Sequence, residues 1–143
     1  VQTCALPISV CEMYLKTISS LKSLGFNQYE ISNFSKPSFE SKHNTKYWIL
    51  DDYLGLGKSA HSLWHGKRFY YDTDWSLKSE GEADIEEERI MLGLRLNCGI
   101  DKSLIKKDFS RFVKMGLMKE SENKIALTSE GMLVSNLIIS ELL

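Results

Sequence analysis

The sequence predicts an α+β fold in two units, and three observations carry that reading. Residues 9–31 run helix, glycine, then a short β-rich stretch, the repeating unit of an α/β layer. Residues 53–71 hold two β-prone runs joined at His65-Gly66. Residues 84–143 give helix, helix, hairpin, helix, the order of a winged-helix-like module, a shape that by itself fixes no role.

In the first unit, Val10, Met13, Tyr14, Ile18, Leu21 and Leu24 recur at three- and four-residue steps, the mark of an amphipathic helix. Gly25 stands where a left-handed C-cap is wanted. The aromatic and β-branched content of residues 26–31 suits a strand. Residues 32–45 are polar, aperiodic and interrupted by Pro37, so they read as a loop crossing the end of that strand, of a kind that often carries function. Residues 53–64 read as a strand, turned at His65-Gly66 into residues 67–71 to make a hairpin. Residues 72–83 are polar and acidic and read as a linker.

The second unit opens at Asp84, which with Glu87 gives a capping-box-like start to a helix carrying Ile85, Ile90, Leu92 and Leu94. Glu86, Glu87 and Glu88 suit the positive end of that helix better than an acid–base pair. Residues 101–115 read as a second helix with Leu104, Ile105, Phe109, Phe112 and Val113 on one face, closed by Gly116. Leu117-Met118 and Ile125-Ala126-Leu127 form a small hairpin, and Thr128 caps a last helix through Leu142.

With 143 residues, 43% hydrophobic and 26% charged, the composition is that of an ordinary globular chain. A net charge of −1 offers no global field to recruit nucleic acid or anionic membrane. No apolar run reaches the roughly 20 residues needed to span a bilayer, and no secretory pattern is present, so a cytoplasmic protein is expected. The three cysteines, Cys4, Cys11 and Cys98, suit neither a disulfide framework nor a metal-ligand spacing. Residues 1–8 look like one reading frame of a sequencing-library adapter. They are read as a scar, with a frayed terminus as the alternative, and set aside from the fold.

The densest informative run is residues 29–62. Tyr29-Glu30-Ile31-Ser32-Asn33-Phe34, Lys36-Pro37, and above all His43-Asn44-Thr45-Lys46-Tyr47-Trp48 stand in order, followed by Asp52-Tyr53-Leu54-Gly55-Leu56-Gly57 and Ser59-Ala60-His61-Ser62. The match resumes at residues 88–96 and again from Leu127 to Asn136. These blocks closely resemble HemW-type heme chaperones, a branch of the radical SAM coproporphyrinogen oxidase family, and the resemblance covers residues 9–143. Two stretches, between Tyr71 and Asp84 and between Ile100 and Lys114, are shorter than that family usually shows.

The resemblance implies a longer protein that binds a four-iron cluster, S-adenosylmethionine and heme. Its cluster motif is absent here, so residues 9–71 are expected to be the last helix and strand of a radical SAM (β/α) barrel plus a hairpin. Residues 84–143 are expected to be its C-terminal module, and the chain alone is not expected to run radical chemistry. His43 is the candidate iron ligand, since neutral imidazole is an ordinary axial ligand, with Asn44, Tyr47 and Trp48 around it. The alternative is that His43 and Asn44 brace the loop while Tyr47 and Trp48 fill a core. By the same likeness Ala60 and His61 border the S-adenosylmethionine pocket. The implied partners are heme and a heme-accepting protein. The rival enzyme reading is an oxygen-independent coproporphyrinogen III oxidase, and a third is a winged-helix adaptor for a protein or nucleic acid.

Three further features are weighed on the residues themselves. Gly55-Leu56-Gly57-Lys58-Ser59 imitates a phosphate loop, but Asp52 occupies the place of its first glycine, and the glycines read better as points of close backbone approach. His61 and His65 lie on a strand and its turn, where they would not form a metal pair. Residues 84–143 hold nine Lys or Arg and ten Asp or Glu, 9 − 10 = −1, without the basic excess of a DNA reader, so no DNA partner is expected. If residues 26–31 form a parallel strand without neighbours, Phe26, Tyr29 and Ile31 should stand exposed and the segment should pack loosely.

Overall fold

The computed structural model describes residues 8–82 and 84–143. Of the adapter-like segment only the Ile8 backbone falls among the described residues. The chain is a mixed helix and sheet structure holding an antiparallel pair and two three-stranded antiparallel sheets. No helix among the described residues is long and apolar enough to cross a membrane.

Helix α1 (Ile8–Ser23) half-buries Val10, Tyr14, Ile18 and Leu21 as expected, whereas Met13 and Leu24 of the expected face are exposed. Gly25 ends it at φ +82°, with its own amide bonded to the Lys22 carbonyl and the Phe26 amide to the Leu21 carbonyl. That is the Schellman arrangement, for which glycine is the low-cost residue. The Tyr14 hydroxyl donates to the Ile31 carbonyl at 2.9 Å and fixes the helix on the segment that follows.

That segment departs from expectation. It is not a parallel strand: β1 (Asn27–Gln28) pairs antiparallel with β2 (Phe34–Ser35). Beyond the pair the chain turns to residues 95–97, where Glu30 bridges Leu96. The Ile31 amide donates to the Arg95 carbonyl and the Asn97 amide to the Tyr29 carbonyl, each at 3.0 Å. Phe26, Tyr29 and Ile31 are therefore half-buried rather than bare, and Ile31 packs against the main core.

The expected loop 32–45 contains β2 and the start of α2 (Lys42–Trp48). Of residues 53–64 only β3 (His61–Trp64) is a strand, with Tyr53 joined to Leu63 by an isolated bridge. The hairpin to β4 (Lys67–Tyr71) stands as read, because His65 at φ +49° and Gly66 at φ +76° supply the two left-handed residues of a tight turn. The expected linker is a third strand, β5 (Leu77–Glu82), paired with β4 across a bulge at Arg68/Phe69. Its six residues are all exposed, so it lacks the apolar alternation that would have revealed a strand.

Helix α3 (Ile85–Gly93) begins at Asp84, whose side chain accepts from the Glu87 amide at 3.1 Å. The expected helix over 101–115 is broken into β6 (Ile100–Asp101), a 3-10 turn (Lys102–Leu104) and α4 (Ser110–Lys114). Asp101 accepts from the Ser103 amide and Asp108 from the Ser110 amide, both at 2.9 Å. Local bonds of this kind compete with helical ones. Strands β7 (Met118–Glu120) and β8 (Lys124–Leu127) form the expected hairpin, with β6 on the other side of β8. The Thr128 hydroxyl accepts from the Gly131 amide to start α5 (Ser129–Leu133), and a break at Val134 separates it from α6 (Ser135–Leu142).

The main core lies in this second half. Leu94, Ile125, Leu127 and Ile138 are almost wholly buried, joined by Phe112, Met118, Met132 and Leu142. Gly131 packs flush on Leu117, and an added Cβ would overlap the Leu117 carbonyl. Gly131→Ala should therefore lower unfolding stability by about 1–3 kcal/mol, seen as a lower urea midpoint at unchanged slope. An unchanged midpoint would mean α5 does not sit so tightly on that carbonyl.

Three exposed aspartates give a pH prediction. Bonds from the Ser76 and Ser103 hydroxyls and amides lower Asp74 and Asp101, and the Ser110 amide and hydroxyl lower Asp108, all from the ordinary 3.8. A depressed folded value means that the ionised form favours the fold, so the contribution is complete above 3.8 and is lost as pH falls through the lower folded values. Carboxyl carbon shifts followed by NMR should show all three titrating below 3.8, and a midpoint at or above it would remove that turn bond.

Candidate functional site

His43, Asn44, Tyr47 and Trp48 lie on one short helix rather than on a loop. Ser41 caps α2, its hydroxyl accepting from the Asn44 amide at 3.3 Å. No α2 residue is buried, so no apolar stripe announces the helix in the sequence. The four-residue spacing puts His43 and Tyr47 on the same face. The Tyr47 hydroxyl and His43 Nε2 are 3.0 Å apart, with ring centroids separated by 5.0 Å at 90°. His43 is exposed, while Asn44 and Tyr47 are half-buried.

Tyr47 is supported from behind. Its ring meets Tyr53 edge-on at 4.5 Å and 72°. Tyr53 exchanges two main-chain hydrogen bonds with Leu63, at 2.8 and 3.0 Å, which attach it to the β3 edge. Its hydroxyl accepts from Arg68 Nη1 at 3.4 Å. Arg68 in turn forms a two-pronged ion pair with Glu88 of α3, including an Nε to Oε1 bond of 3.3 Å. Bonding to Glu88 raises the Arg68 guanidinium further above its ordinary value. Glu88 thus has a partner across the fold, beyond its place in the acidic first turn of α3. Neither Tyr53, Arg68 nor Glu88 was singled out as a site residue from the sequence, because their meeting depends on side-chain contacts between residues 15 to 20 positions apart on different elements.

Trp48 points elsewhere. Five residues on from His43 it is turned by about 140° around the helix. The Arg95 guanidinium lies over its ring at 4.6 Å. Trp48 Nε1 is buried without a hydrogen-bond partner among the described residues. It anchors the helix and does not share the His43–Tyr47 face.

Ala60 and His61 belong to a separate place. Ala60 is half-buried just before β3. His61 is exposed, with Nδ1 at 2.8 Å from Glu80 Oε2 and its ring tilted on Tyr70 at 4.8 Å. Gly55 lies flush against the 60–61 backbone, where a Cβ would overlap the Ala60 and His61 carbonyls. The close approach read for the glycines holds at Gly55; Gly57 has open space around it and is set by φ +102° instead. His65 is a turn residue whose amide donates to Asp52 Oδ1 at 2.9 Å. Glu30 is fully buried and accepts from the Ser32 amide at 2.7 Å and Asn33 Nδ2 at 2.6 Å. Among the described residues no group of three or more His, Cys, Asp or Glu side chains converges as a metal site.

No family model matches the chain. It is 32% identical to the heme chaperone HemW of Bacillus subtilis over an alignment covering 87% of this chain and 40% of that protein. The chain is a relative of HemW. The HemW of Lactococcus lactis is 28% identical, over 92% of this chain and 41% of that protein. The chain therefore spans about two fifths of the length of these relatives. Among solved structures, the radical SAM coproporphyrinogen III oxidase HemN of Escherichia coli matches at a TM-score of 0.58 and 19% identity, over 90% of this chain and 39% of that one, a likeness of fold.

An imidazole nitrogen and a phenol oxygen one helical turn apart at the surface are both recognised axial donors to heme iron, so the donor set on α2 fits that group. The support behind it is testable. Arg68 and Glu88 side chains retain 26% and 17% of their exposure, so the loss on Glu88→Gln should fall below the 3–5 kcal/mol of a fully buried broken pair, at about 1–3 kcal/mol. Urea unfolding measures it, and a change near zero would show that the pair does not hold β4 to α3.

Proposed function

We propose that this chain serves a HemW-type heme chaperone, with the exposed His43–Tyr47 pair of α2 as its contact with heme. The observation that carries the reading is that pair itself: two heme-competent donors, hydrogen bonded at 3.0 Å, in a chain related to proteins named heme chaperones. Heme is here cargo to be passed to an accepting protein, which suits a site on a surface helix rather than in a closed pocket. A four-iron cluster and S-adenosylmethionine belong, on this reading, to the remainder of a longer protein. Ala60 and His61 would then form one edge of the S-adenosylmethionine site, and residues 84–143 the winged-helix-like C-terminal module. A soluble, cytoplasmic setting goes with this reading.

One observation favours a second reading, since the matching solved structure is a coproporphyrinogen III oxidase. Propionate decarboxylation by a longer protein containing this segment would support it. The adaptor reading toward nucleic acid loses support, because the helix expected over residues 101–115, the candidate recognition helix of such a module, is reduced to the five residues of α4.

Titrating hemin into the chain should give a saturable Soret band, and replacing both His43 and Tyr47 with alanine should weaken it at least a hundredfold, about 2.7 kcal/mol. Linear, unsaturable uptake by the unaltered chain would sink the proposal, as would binding indifferent to the double substitution.

A further inference from the structure

Strand β5 is an edge with one side unpaired. It lies at the end of the order β3–β4–β5, and all six of its residues are exposed. The Asp72 amide donates to the Ser76 carbonyl at 2.9 Å, while the Tyr71 carbonyl turns the other way and accepts from the Ser59 amide. By the alternation of an antiparallel ladder, Lys78 therefore directs its amide and carbonyl to β4, and Leu77 and Ser79 direct theirs to the open side. The register over Leu77, Lys78 and Ser79 is regular, because the bulge falls beyond Ser79. An edge of this kind accepts a further strand unless its side chains forbid it.

The charges on β5 select a partner. Laid antiparallel on a copy of itself about Ser79, the strand sets Lys78 opposite Glu80 of the second copy and Glu80 opposite Lys78 of that copy. Opposite charges directly across a ladder attract, and like charges repel. Moving the centre by one residue sets Lys78 on Lys78 or Glu80 on Glu80, so the charges also fix the register. Both side chains lie on one face: Glu80 Oε2 is 2.8 Å from His61 Nδ1, His61 pairs with Tyr70, and Tyr70 with Lys78. His61 takes one carboxylate oxygen and leaves Oε1 for a lysine. On the other face Leu77, 60% exposed, falls opposite Gly81, which has open space where a side chain would stand.

We propose that β5 is a self-pairing edge through which two copies of this chain associate about a twofold axis, their sheets joining into one continuous antiparallel sheet. The contact is isologous, each copy giving Lys78 to the other's Glu80. A pairing confined to residues 77–81 buries little surface, which places it among weak, reversible associations.

Sedimentation equilibrium tests this on the unaltered chain, on Lys78→Glu, on Glu80→Lys, and on an equimolar mixture of the two variants. The unaltered chain should show a reversible monomer–dimer equilibrium between about 10 μM and about 1 mM. Each variant alone sets like charges opposite one another twice and should associate at least about tenfold more weakly. In the mixture the charges are again complementary, and association should return to within about threefold of the unaltered chain. That recovery also shows that both variants fold. An unaltered chain that stays monomeric up to about 1 mM overturns the proposal. Variants that pair as well as the unaltered chain overturn it too, because the copies then meet through another surface. A mixture no tighter than its components overturns the register about Ser79.

Discussion

The antiparallel stitch between residues 29–31 and 95–97 is the contact on which the arrangement of the rest depends. Two main-chain hydrogen bonds, Ile31 to Arg95 and Asn97 to Tyr29, close it at 3.0 Å each, and the Asn97 side chain adds a bond to the Gln28 carbonyl. Between them Glu30 is wholly buried. A carboxyl group so placed is costly unless its lone pairs are used; Oε1 accepts from both Ser32 and Asn33, while Oε2 is buried without a partner among the described residues. That requirement fixes the turn from which β2 leaves. Nothing within residues 26–31 alone would hold a two-residue strand in place.

The same stitch determines where α2 sits. Arg95 is tied through its carbonyl to Ile31 and lies with its guanidinium over Trp48, a cation–π contact worth roughly 0.5–2 kcal/mol according to its desolvation. From another side Tyr47 leans on Tyr53, and through Arg68 on Glu88 of α3. A seven-residue helix has little stability of its own, and α2 has no buried residue. It is held by these two contacts, one on the C-terminal unit and one on the β3–β4 hairpin, and they leave the His43–Tyr47 face outward. A surface helix fixed from behind leaves that face open to solvent.

Much of the fold was legible because it depends on neighbours in sequence. The Schellman end at Gly25, the turn at His65-Gly66, the Asp84 and Thr128 caps and the 117–127 hairpin were each readable from a few adjacent residues. The likeness to HemW was legible in the same way, since His43-Asn44-Thr45-Lys46-Tyr47-Trp48 is a contiguous string. The reading failed where local signals were weak or opposed. Strand β5 has no buried face, α2 has no apolar stripe, and Asp101 and Asp108 interrupt what periodicity presents as one helix.

By itself, then, the sequence determined the caps, the tight turns and the family likeness. Those features rest on backbone preferences and hydrogen bonds within a few residues, and on the order of side chains along the chain. Only the tertiary structure decided that residues 29–31 run antiparallel to 95–97 and that Trp48 turns under Arg95 while Tyr47 and His43 bond to each other at the surface. It also decided that Arg68 finds Glu88 twenty residues on. Apart from the His43–Tyr47 bond within α2, each of these is a pairing between distant segments whose groups no local window contains together.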